Sequence, residues 1–403
     1  MNHKETSLLI LRLGVLMTSL FSYFTAVGIL SALLVDLSKE FGISVAGIGQ
    51  LITISLITVG LSAPLIGPFS DRIGRKRIVV SAQIILALSL WGYGVSNSLT
   101  ALIGFSLLLG LGGGMGMPFS LALVSDYFTS HTYGRALSII HSGQPIASLM
   151  GVPIGAFIAD RLGWHWSFFI LGTFTLGTAL VAQIVLLPSV VPPGEKKLSF
   201  FSNFIEAFRH QSFLPIIAGN TLLNIGHFAV ATYLAAFLRQ TYSLSIWQVA
   251  PFLLMIGVGQ LAGVLAGGPV ADKLNKTKIL IVTQFFAGLT SFVLMGWPKG
   301  LFFSVLLGGV FMGFYSSNRP AFLSLMVSLS DRVRGTVMGI QATSNRLGQA
   351  LGAASGGLVL SWLGYSYLGV FCIVLSLLAS AVFFYVSYFI KETSYPINEM
   401  VGN

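Results

Sequence analysis

Charged residues are scarce in this sequence. Only 8% of the 403 residues are Asp, Glu, Lys or Arg, while 55% are hydrophobic, whereas a soluble globular domain carries about 25% charged residues. This scarcity argues against a water-soluble fold. Because the apolar residues run through the whole chain, the composition predicts a protein that crosses a bilayer many times.

Cysteine is nearly absent as well. The single Cys372 excludes a disulfide within the chain and a cysteine metal cluster. No metal-ligand spacing, Walker-type phosphate loop or catalytic triad is found, so the sequence predicts no metal, no cofactor and no enzyme activity. The formal charge of +10 lies in short loops between apolar runs. It therefore indicates membrane topology and no nucleic-acid partner, because binding nucleic acid needs a solvated basic face.

Twelve apolar runs have the length of about 20 residues that crosses the hydrocarbon core of a bilayer. They begin near residues 8, 45, 77, 99, 134, 165, 211, 245, 278, 301, 336 and 365. With both termini inside, sixteen Lys and Arg residues face the cytoplasm and four face outward, as the positive-inside bias requires. The sequence predicts a multi-pass protein of the cytoplasmic membrane with cytoplasmic termini and a retained first helix.

The two halves of the chain repeat each other at a fixed offset of 201 residues. The pairs are Gly67 and Gly268, Asp71 and Asp272, Gly134 and Gly335, and Gly151 and Gly352. Parallel repeats of this kind are typical of transporters that bind substrate where the repeats meet. We therefore expect an all-α membrane protein whose twelve transmembrane helices form two pseudo-symmetric six-helix bundles.

The polar stretch between spans six and seven separates the predicted bundles. Its prolines and charges, Pro192-Pro193-Gly194-Glu195-Lys196-Lys197, disfavour a helix. The expected domains are an N-terminal bundle (1–188), a cytoplasmic linker (189–210) and a C-terminal bundle (211–403). Phenylalanines at helical spacing over 200–208 predict an interfacial helix within the linker.

The basic loop, Gly67–Arg77, follows span two. It resembles the major facilitator superfamily signature Gly-x-x-x-Asp-Arg/Lys-x-Gly-Arg/Lys-basic, and the matching residues are Gly67, Asp71, Arg72, Gly74, Arg75 and Lys76. The resemblance implies the major facilitator fold and a role for this loop in switching between inward-open and outward-open states. In the second copy, Asp272 is kept but Asn275 replaces Gly74, which predicts a weaker contact there.

Spans five and eleven carry small residues spaced by four. The predicted packing residues are Gly151, Pro153, Gly155, Gly348, Gly352 and Gly356, since small residues let helices approach closely. The run Gly151–Gly155 resembles the fifth-helix motif of twelve-helix drug, sugar and nucleoside exporters, which favours efflux. Generic packing without information on direction remains an alternative.

One position departs from the exporter pattern. These exporters often carry an arginine in span four, linked to proton coupling, where this chain has Ser106. All 12 acidic residues also lie in or beside loops, so no carboxylate is placed for the usual proton relay at mid-membrane. Both facts argue against ordinary proton antiport.

Two arginines do lie inside predicted spans. Arg319 and Arg346 would each cost at least ~2.5 kcal/mol in lipid, so intramembrane arginines indicate functional sites. The predicted substrate-binding or coupling residues are Arg346, Arg319, His227, Asn224, Gln144 and Asn345. Guanidinium groups without a buried acid suit an anionic or polyhydroxylated substrate, although interhelical hydrogen bonding is the simpler alternative.

The first functional expectation is secondary active efflux of a small organic solute, a drug or metabolite, by alternating access. Protons are a candidate coupling ion, and the expected partners are the small-molecule substrate and the lipid bilayer, with the chain acting as a monomer. The alternative is an organic-anion uptake carrier or exchanger that uses the membrane-embedded arginines.

Overall fold

The computed structural model describes residues 3–66, 73–128, 130–188, 212–298, 300–329 and 334–393. These ranges are almost entirely helical and contain no strand. The helices of the first half are α1 (His3–Ala32), α2 (Leu34–Phe41), α3 (Val45–Ile66), α4 (Arg75–Val95), α5 (Leu99–Tyr127), α6 (Ser130–His141), α7 (Gly143–Ile146), α8 (Val152–Leu162) and α9 (Trp164–Val185). Those of the second half are α10 (Phe213–Thr241), α11 (Ile246–Lys273), α12 (Lys276–Gly296), α13 (Leu301–Leu329), α14 (Arg334–Leu363) and α15 (Tyr365–Thr393).

The twelve predicted spans are all present as helices in the described ranges. Eleven are long and apolar enough to cross a membrane. The twelfth, α14, has 30 residues and is therefore long enough at 1.5 Å per residue. It is too polar to meet the same criterion because Gln341, Asn345, Arg346 and Gln349 interrupt its apolar sequence. The prediction of an all-α fold with six spans in each half is confirmed.

The chain divides into two compact units. Unit 1 contains residues 1–195 and 232–257, and unit 2 contains 196–231 and 258–403. The division passes through α10 and α11, so each unit includes part of these helices. The domain limits inferred from sequence stay a prediction, and the interfacial helix expected at 200–208 lies outside the described residues.

Small residues determine how closely helices approach within each unit. In unit 1, a Cβ added to Gly114 of α5 would lie 2.7 Å from the Ser62 Cβ of α3. In unit 2, Gly263 of α11 faces the Gly313 backbone of α13 directly. Ser62 and Gly263 are 201 residues apart, and their partners Gly114 and Gly313 are 199 apart. The same two spans therefore meet through small residues in each half of the chain.

The predicted packing glycines lie at close helix contacts too. Gly151 and Gly155 face Thr25 and Ile29 of α1, next to a π-helical turn at Ala147–Gly151 and to Pro153 in the first turn of α8. In unit 2, α14 packs on α10 through three glycines, Gly348, Gly352 and Gly356. Such contacts are needed in a membrane bundle whatever the direction of transport.

Candidate functional site

Polar side chains on one face of α10 and α14 are joined by hydrogen bonds in unit 2. The Asn224 side-chain amide donates to the Asn220 carbonyl (2.8 Å) and to Asn345 Oδ1 (3.2 Å). Asn220 also donates to Asn345 Oδ1. Two of the predicted site residues, Asn224 and Asn345, are therefore in direct contact.

Tyr315 of α13 links this asparagine cluster to the arginines. Its hydroxyl donates to Asn224 Oδ1 at 2.9 Å, and the same phenol is hydrogen-bonded to the side chains of Arg319 and Gln349. Arg346 Nη1 donates to Gln349 Oε1 at 2.9 Å. Five side chains on three helices thus form one connected network.

His227 completes the cluster. Its ring is parallel to that of Tyr315, with centroids 3.3 Å apart and planes at 4°, and it also stacks on Phe311 with centroids 4.9 Å apart. The side chain is buried, with 5% of its surface exposed. Among the described residues, its Nδ1 has no hydrogen-bond partner.

The charged side chains of this cluster are both positive. Arg319 is exposed at the surface of unit 2 and Arg346 is half-buried, and both act electrostatically on Tyr315. The sequences of α10, α12, α13 and α14 contain no Asp or Glu. The positive charges of Arg319 and Arg346, with the polar groups of Tyr315 and Gln349 beside them, are suited to receive an anion through charge-assisted hydrogen bonds.

Sequence reasoning missed Tyr315 and Gln349. Tyr315 lies four residues before Arg319, and Gln349 lies three residues after Arg346, so both are helix-face neighbours of arginines already identified. A search of the sequence at this helical spacing would have identified both residues.

Gln144, in contrast, lies half-buried in α7 of unit 1, whereas the other five predicted residues belong to unit 2.

The basic loop is described only at its end. Gly67, Asp71 and Arg72 lie outside the described residues, as does the Asp272 side chain, so their roles stay predictions. Gly74 has φ 89°, a left-handed value that glycine adopts readily, and it directly precedes α4. Arg75 Nη1 then donates to Asp126 Oδ1 of α5 at 2.5 Å.

The pKa of Asp126 has a testable consequence. Burial raises the pKa of this carboxyl above 3.8, while the Arg75 charge acts in the opposite direction. The folded protein therefore binds the carboxyl proton of Asp126 more tightly than the unfolded chain does. Below pH 3.8 the protonated Asp126 adds to the free energy of unfolding, and this stabilisation is lost as pH rises through the raised pKa. In thermal unfolding in detergent, the stability of the wild type relative to Asp126→Asn should fall across that window. A relative stability that rises with pH would contradict this sign.

A second polar site lies in unit 1, at the end of the spans predicted to face outward. Both oxygens of Asp36 in α2 accept hydrogen bonds from Arg239, at 2.5 and 2.8 Å, and Arg239 also donates to the Ala32 carbonyl at 2.9 Å. The Arg239 side chain is 5% exposed. Nearby, the Trp164 indole donates to Glu40 at 2.5 Å.

This ion pair borders a cavity of about 850 Å³. Its wall also contains Ser243, a non-glycine residue with φ 53°. Such backbone conformations are sparsely populated and cluster at functional sites. The charged and aromatic lining residues are Asp36, Lys39, Asp160, Trp164 and Arg239.

The comparison with known proteins agrees with this architecture. A family model described as the Major Facilitator Superfamily matches residues 16–298 and 256–399. The chain belongs to this superfamily.

Relatives in the superfamily are distant in sequence but similar in length. The uncharacterized MFS-type transporter YceJ of Bacillus subtilis is 25% identical over 349 residues, covering 86% of this chain and 88% of the relative. Multidrug resistance protein 2 of the same species is 23% identical over 356 residues, covering 86% and 88%. A crystal structure of a bacterial homolog of the human lysosomal transporter Spinster, inward-facing and unoccupied, has a TM-score of 0.79 at 17% identity and covers 94% of this chain and 97% of that chain.

Membership in the superfamily makes the chain a membrane transporter for small solutes. It also makes Ser106 informative, because the exporters that this sequence resembles often carry an arginine at this position. Ser106 is fully buried in α5. Its hydroxyl donates its one proton to the Leu102 carbonyl at 2.8 Å. In the 2.5 Å hydrogen bond with Tyr93, the Tyr93 hydroxyl is therefore the donor and Ser106 Oγ the acceptor. The Tyr93 ring stacks on Phe168. A hydrogen bond to a stacked tyrosine therefore occupies this position in α5.

Ser106 should therefore matter for stability and little for transport. Ser106→Ala leaves the buried Tyr93 hydroxyl without its acceptor, which costs about 1–3 kcal/mol. Adding Tyr93→Phe should recover part of that loss, since both polar groups are then absent. Chemical unfolding in detergent measures the first effect, and flux in proteoliposomes should remain within about twofold of wild type. A large loss of flux in a folded Ser106→Ala variant would show that Ser106 acts in transport.

Proposed function

We propose that this superfamily member is a secondary transporter of small organic anions that works by alternating access. The observation that carries the proposal is the network of Arg319, Tyr315, Gln349 and Arg346 in unit 2. It places two permanent positive charges on spanning helices that contain no acidic residue.

The chemistry of arginine explains why an anion is the preferred ligand. A guanidinium presents donors in a planar fork that matches a carboxylate or sulfonate, and charge-assisted hydrogen bonds of this kind contribute more than neutral ones. Arg346 donates a hydrogen bond to Gln349 at 2.9 Å, and Arg319 is hydrogen-bonded to Tyr315. These hydrogen bonds position both guanidinium groups before a ligand arrives. His227, Asn224 and Asn345 form the polar wall next to them.

Conformational control is assigned to the basic loop. We propose that Gly67, Asp71, Arg72, Gly74 and Arg75 hold one state of the alternating-access cycle, with Asp272 as the weaker equivalent in the second half. The Arg75–Asp126 ion pair at 2.5 Å supports this by tying the end of the loop to α5. We place the loop and both termini on the cytoplasmic side, because this orientation puts sixteen Lys and Arg residues inside and four outside, as the positive-inside bias favours.

Export of a drug or metabolite is the second candidate. It is favoured by the likeness to Multidrug resistance protein 2 and by the fifth-span resemblance. The fifth-span glycines, however, pack on Thr25 and Ile29 of α1, a contact that a carrier of either direction can use. Cells that express the protein should accumulate less ethidium if export of drugs is the function, and accumulation should be unchanged if the anion proposal holds.

Counterflow in proteoliposomes tests the anion proposal. Vesicles are loaded with unlabelled benzenesulfonate, and entry of labelled benzenesulfonate is followed without any imposed ion gradient. We expect trans-stimulated entry that empty liposomes do not show. Failure of every anion in a panel of benzenesulfonate, gluconate and benzoate to exchange would overturn the proposal.

A further inference from the structure

His227 has an environment that a merely structural histidine does not need. It is 5% exposed, it is parallel to Tyr315 at 3.3 Å, and its Nδ1 has no partner among the described residues. A buried polar atom without a hydrogen bond is costly. Several described side chains have such an atom, but among them only His227 is titratable and can satisfy it by binding a proton.

Among the described residues, the rings that contact His227 are neutral, and the charge that acts on it is that of Arg319. From α13 it meets Tyr315, Phe311 and the charge of Arg319, and the network continues from Tyr315 through Gln349 to Arg346 of α14. On its own helix the polar neighbours are Asn220 and Asn224. From α15, the backbone of Cys372 borders Gly226, the residue that precedes His227.

Charge balance then connects the histidine to the ligand. A protonated His227 would be a third positive charge beside two arginines, on helices that lack Asp and Glu. An organic anion held by the arginines would supply the missing negative charge. Each of the two species, proton and anion, therefore makes binding of the other more favourable, and this coupling is reciprocal by thermodynamic necessity.

We propose that His227 is the proton-binding site of this transporter and that the transported anion is its counterion, so that one proton and one monovalent organic anion move together. The inference rests on the proposed anion-carrier function. The proton binds to an imidazole nitrogen on one side of the membrane and leaves it on the other, and no covalent bond to the substrate forms. One proton and one monovalent anion together carry no net charge across the membrane. A pH gradient therefore drives transport, and membrane voltage does not.

The direction of flux follows from this stoichiometry. A proton gradient that is acidic outside would drive the anion inward, as in the uptake alternative. An antiporter would behave in the opposite way, because proton and substrate would then compete for one site and an acidic exterior would drive substrate outward.

Benzenesulfonate is a suitable probe because it remains ionised at all relevant pH values and does not cross the bilayer as a neutral acid. Its uptake into proteoliposomes is measured with a pH gradient alone, with a valinomycin-imposed potassium voltage alone, and with neither. We expect the pH gradient, acidic outside, to stimulate wild-type uptake by about 5- to 150-fold, the usual range of coupling. Voltage of either sign should change it less than twofold.

His227→Gln keeps a polar side chain of similar size that cannot take a charge. Whatever its exchange rate, its uptake of benzenesulfonate should be the same with and without the pH gradient. His165→Gln serves as the matched control, because His165 lies in unit 1 at the start of α9 and should keep the full response. If His227→Gln fails to fold, proton uptake on benzenesulfonate binding to the wild type, measured by calorimetry in two buffers of different ionisation enthalpy, gives the stoichiometry directly.

The possible results separate the two proposals. Exchange of benzenesulfonate without a pH response in the wild type, or a full pH response in His227→Gln, would overturn the role of His227 and leave the anion carrier intact. Absence of exchange for all the anions in the panel would overturn the anion carrier itself.

Discussion

Replacing Arg346 with alanine is expected to reduce anion counterflow by about 10- to 100-fold. Charge-assisted hydrogen bonds contribute about 1.5–3 kcal/mol, and each 1.4 kcal/mol corresponds to a factor of ten. Arg346→Lys keeps the charge but loses the planar fork, so its flux should lie between those of wild type and alanine. Initial rates of labelled benzenesulfonate exchange give the measurement.

The stability of the Arg346 variant separates a binding defect from misfolding. Arg346 is half-buried and shares its network with the Arg319 charge, so its removal relieves repulsion between like charges. Its removal also leaves Oε1 of the buried Gln349 without this donor, which opposes the first effect. Arg346→Ala should therefore unfold in detergent near the wild-type temperature. Lys39→Gln is the matched control, because this cation lines the cavity of unit 1 and its loss should leave exchange unchanged. Wild-type exchange by folded Arg346→Ala would exclude Arg346 from the binding site.

Replacing Arg239 with alanine is expected to destabilise unit 1 by about 1.5–3 kcal/mol, the range for hydrogen bonds to charged groups. The side chain is 5% exposed and bonds Asp36 twice, at 2.5 and 2.8 Å. The variant also loses the hydrogen bond to the Ala32 carbonyl at 2.9 Å. Asp36→Asn can keep one hydrogen bond to Arg239 but leaves its guanidinium, which is 5% exposed, without a counterion, so we expect a loss of similar size.

The cavity beside this pair offers a readout that stability alone does not provide. Ser243→Cys places a thiol in the wall of the cavity, where a membrane-impermeant maleimide reports access from the predicted outer side. We expect Arg239→Ala to increase the labelling rate and Asp36→Asn to increase it less. The reversed pair, Asp36→Arg with Arg239→Asp, should recover part of the slow labelling. Equal labelling in all four proteins would show that the ion pair does not restrict this cavity.

Helix positions were the most predictable part of the fold. The helices Val45–Ile66, Leu99–Tyr127 and Leu301–Leu329 begin where the apolar runs begin, because the thickness of the bilayer fixes the length of each run. The short helix α2 (Leu34–Phe41) was not predicted. It ends at Gly42, whose φ of 64° terminates the helix, and its Asp36 and Glu40 looked like loop residues in a composition-based reading.

The candidate site was predictable only in part. Arg319, Arg346, His227, Asn224 and Asn345 were identified from polarity within apolar spans, and they lie in one unit of the fold. The Asp36–Arg239 pair was missed because its members are 203 residues apart and no local spacing relates them. Each was assigned to a separate loop, and only the folded chain brings a long-range pair of this kind together.

Equilibrium binding of three ring compounds matched in size tests the central claim most directly. Benzenesulfonate, neutral benzenesulfonamide and cationic benzylamine are titrated into the purified protein by calorimetry. If Arg319 and Arg346 receive an anion, benzenesulfonate should bind at least about tenfold more tightly than the sulfonamide, the difference between a charge-assisted and a neutral hydrogen bond. Benzylamine should not bind. Equal affinity for the anion and the neutral compound, or preference for the cation, would contradict the assignment of this transporter to organic anions.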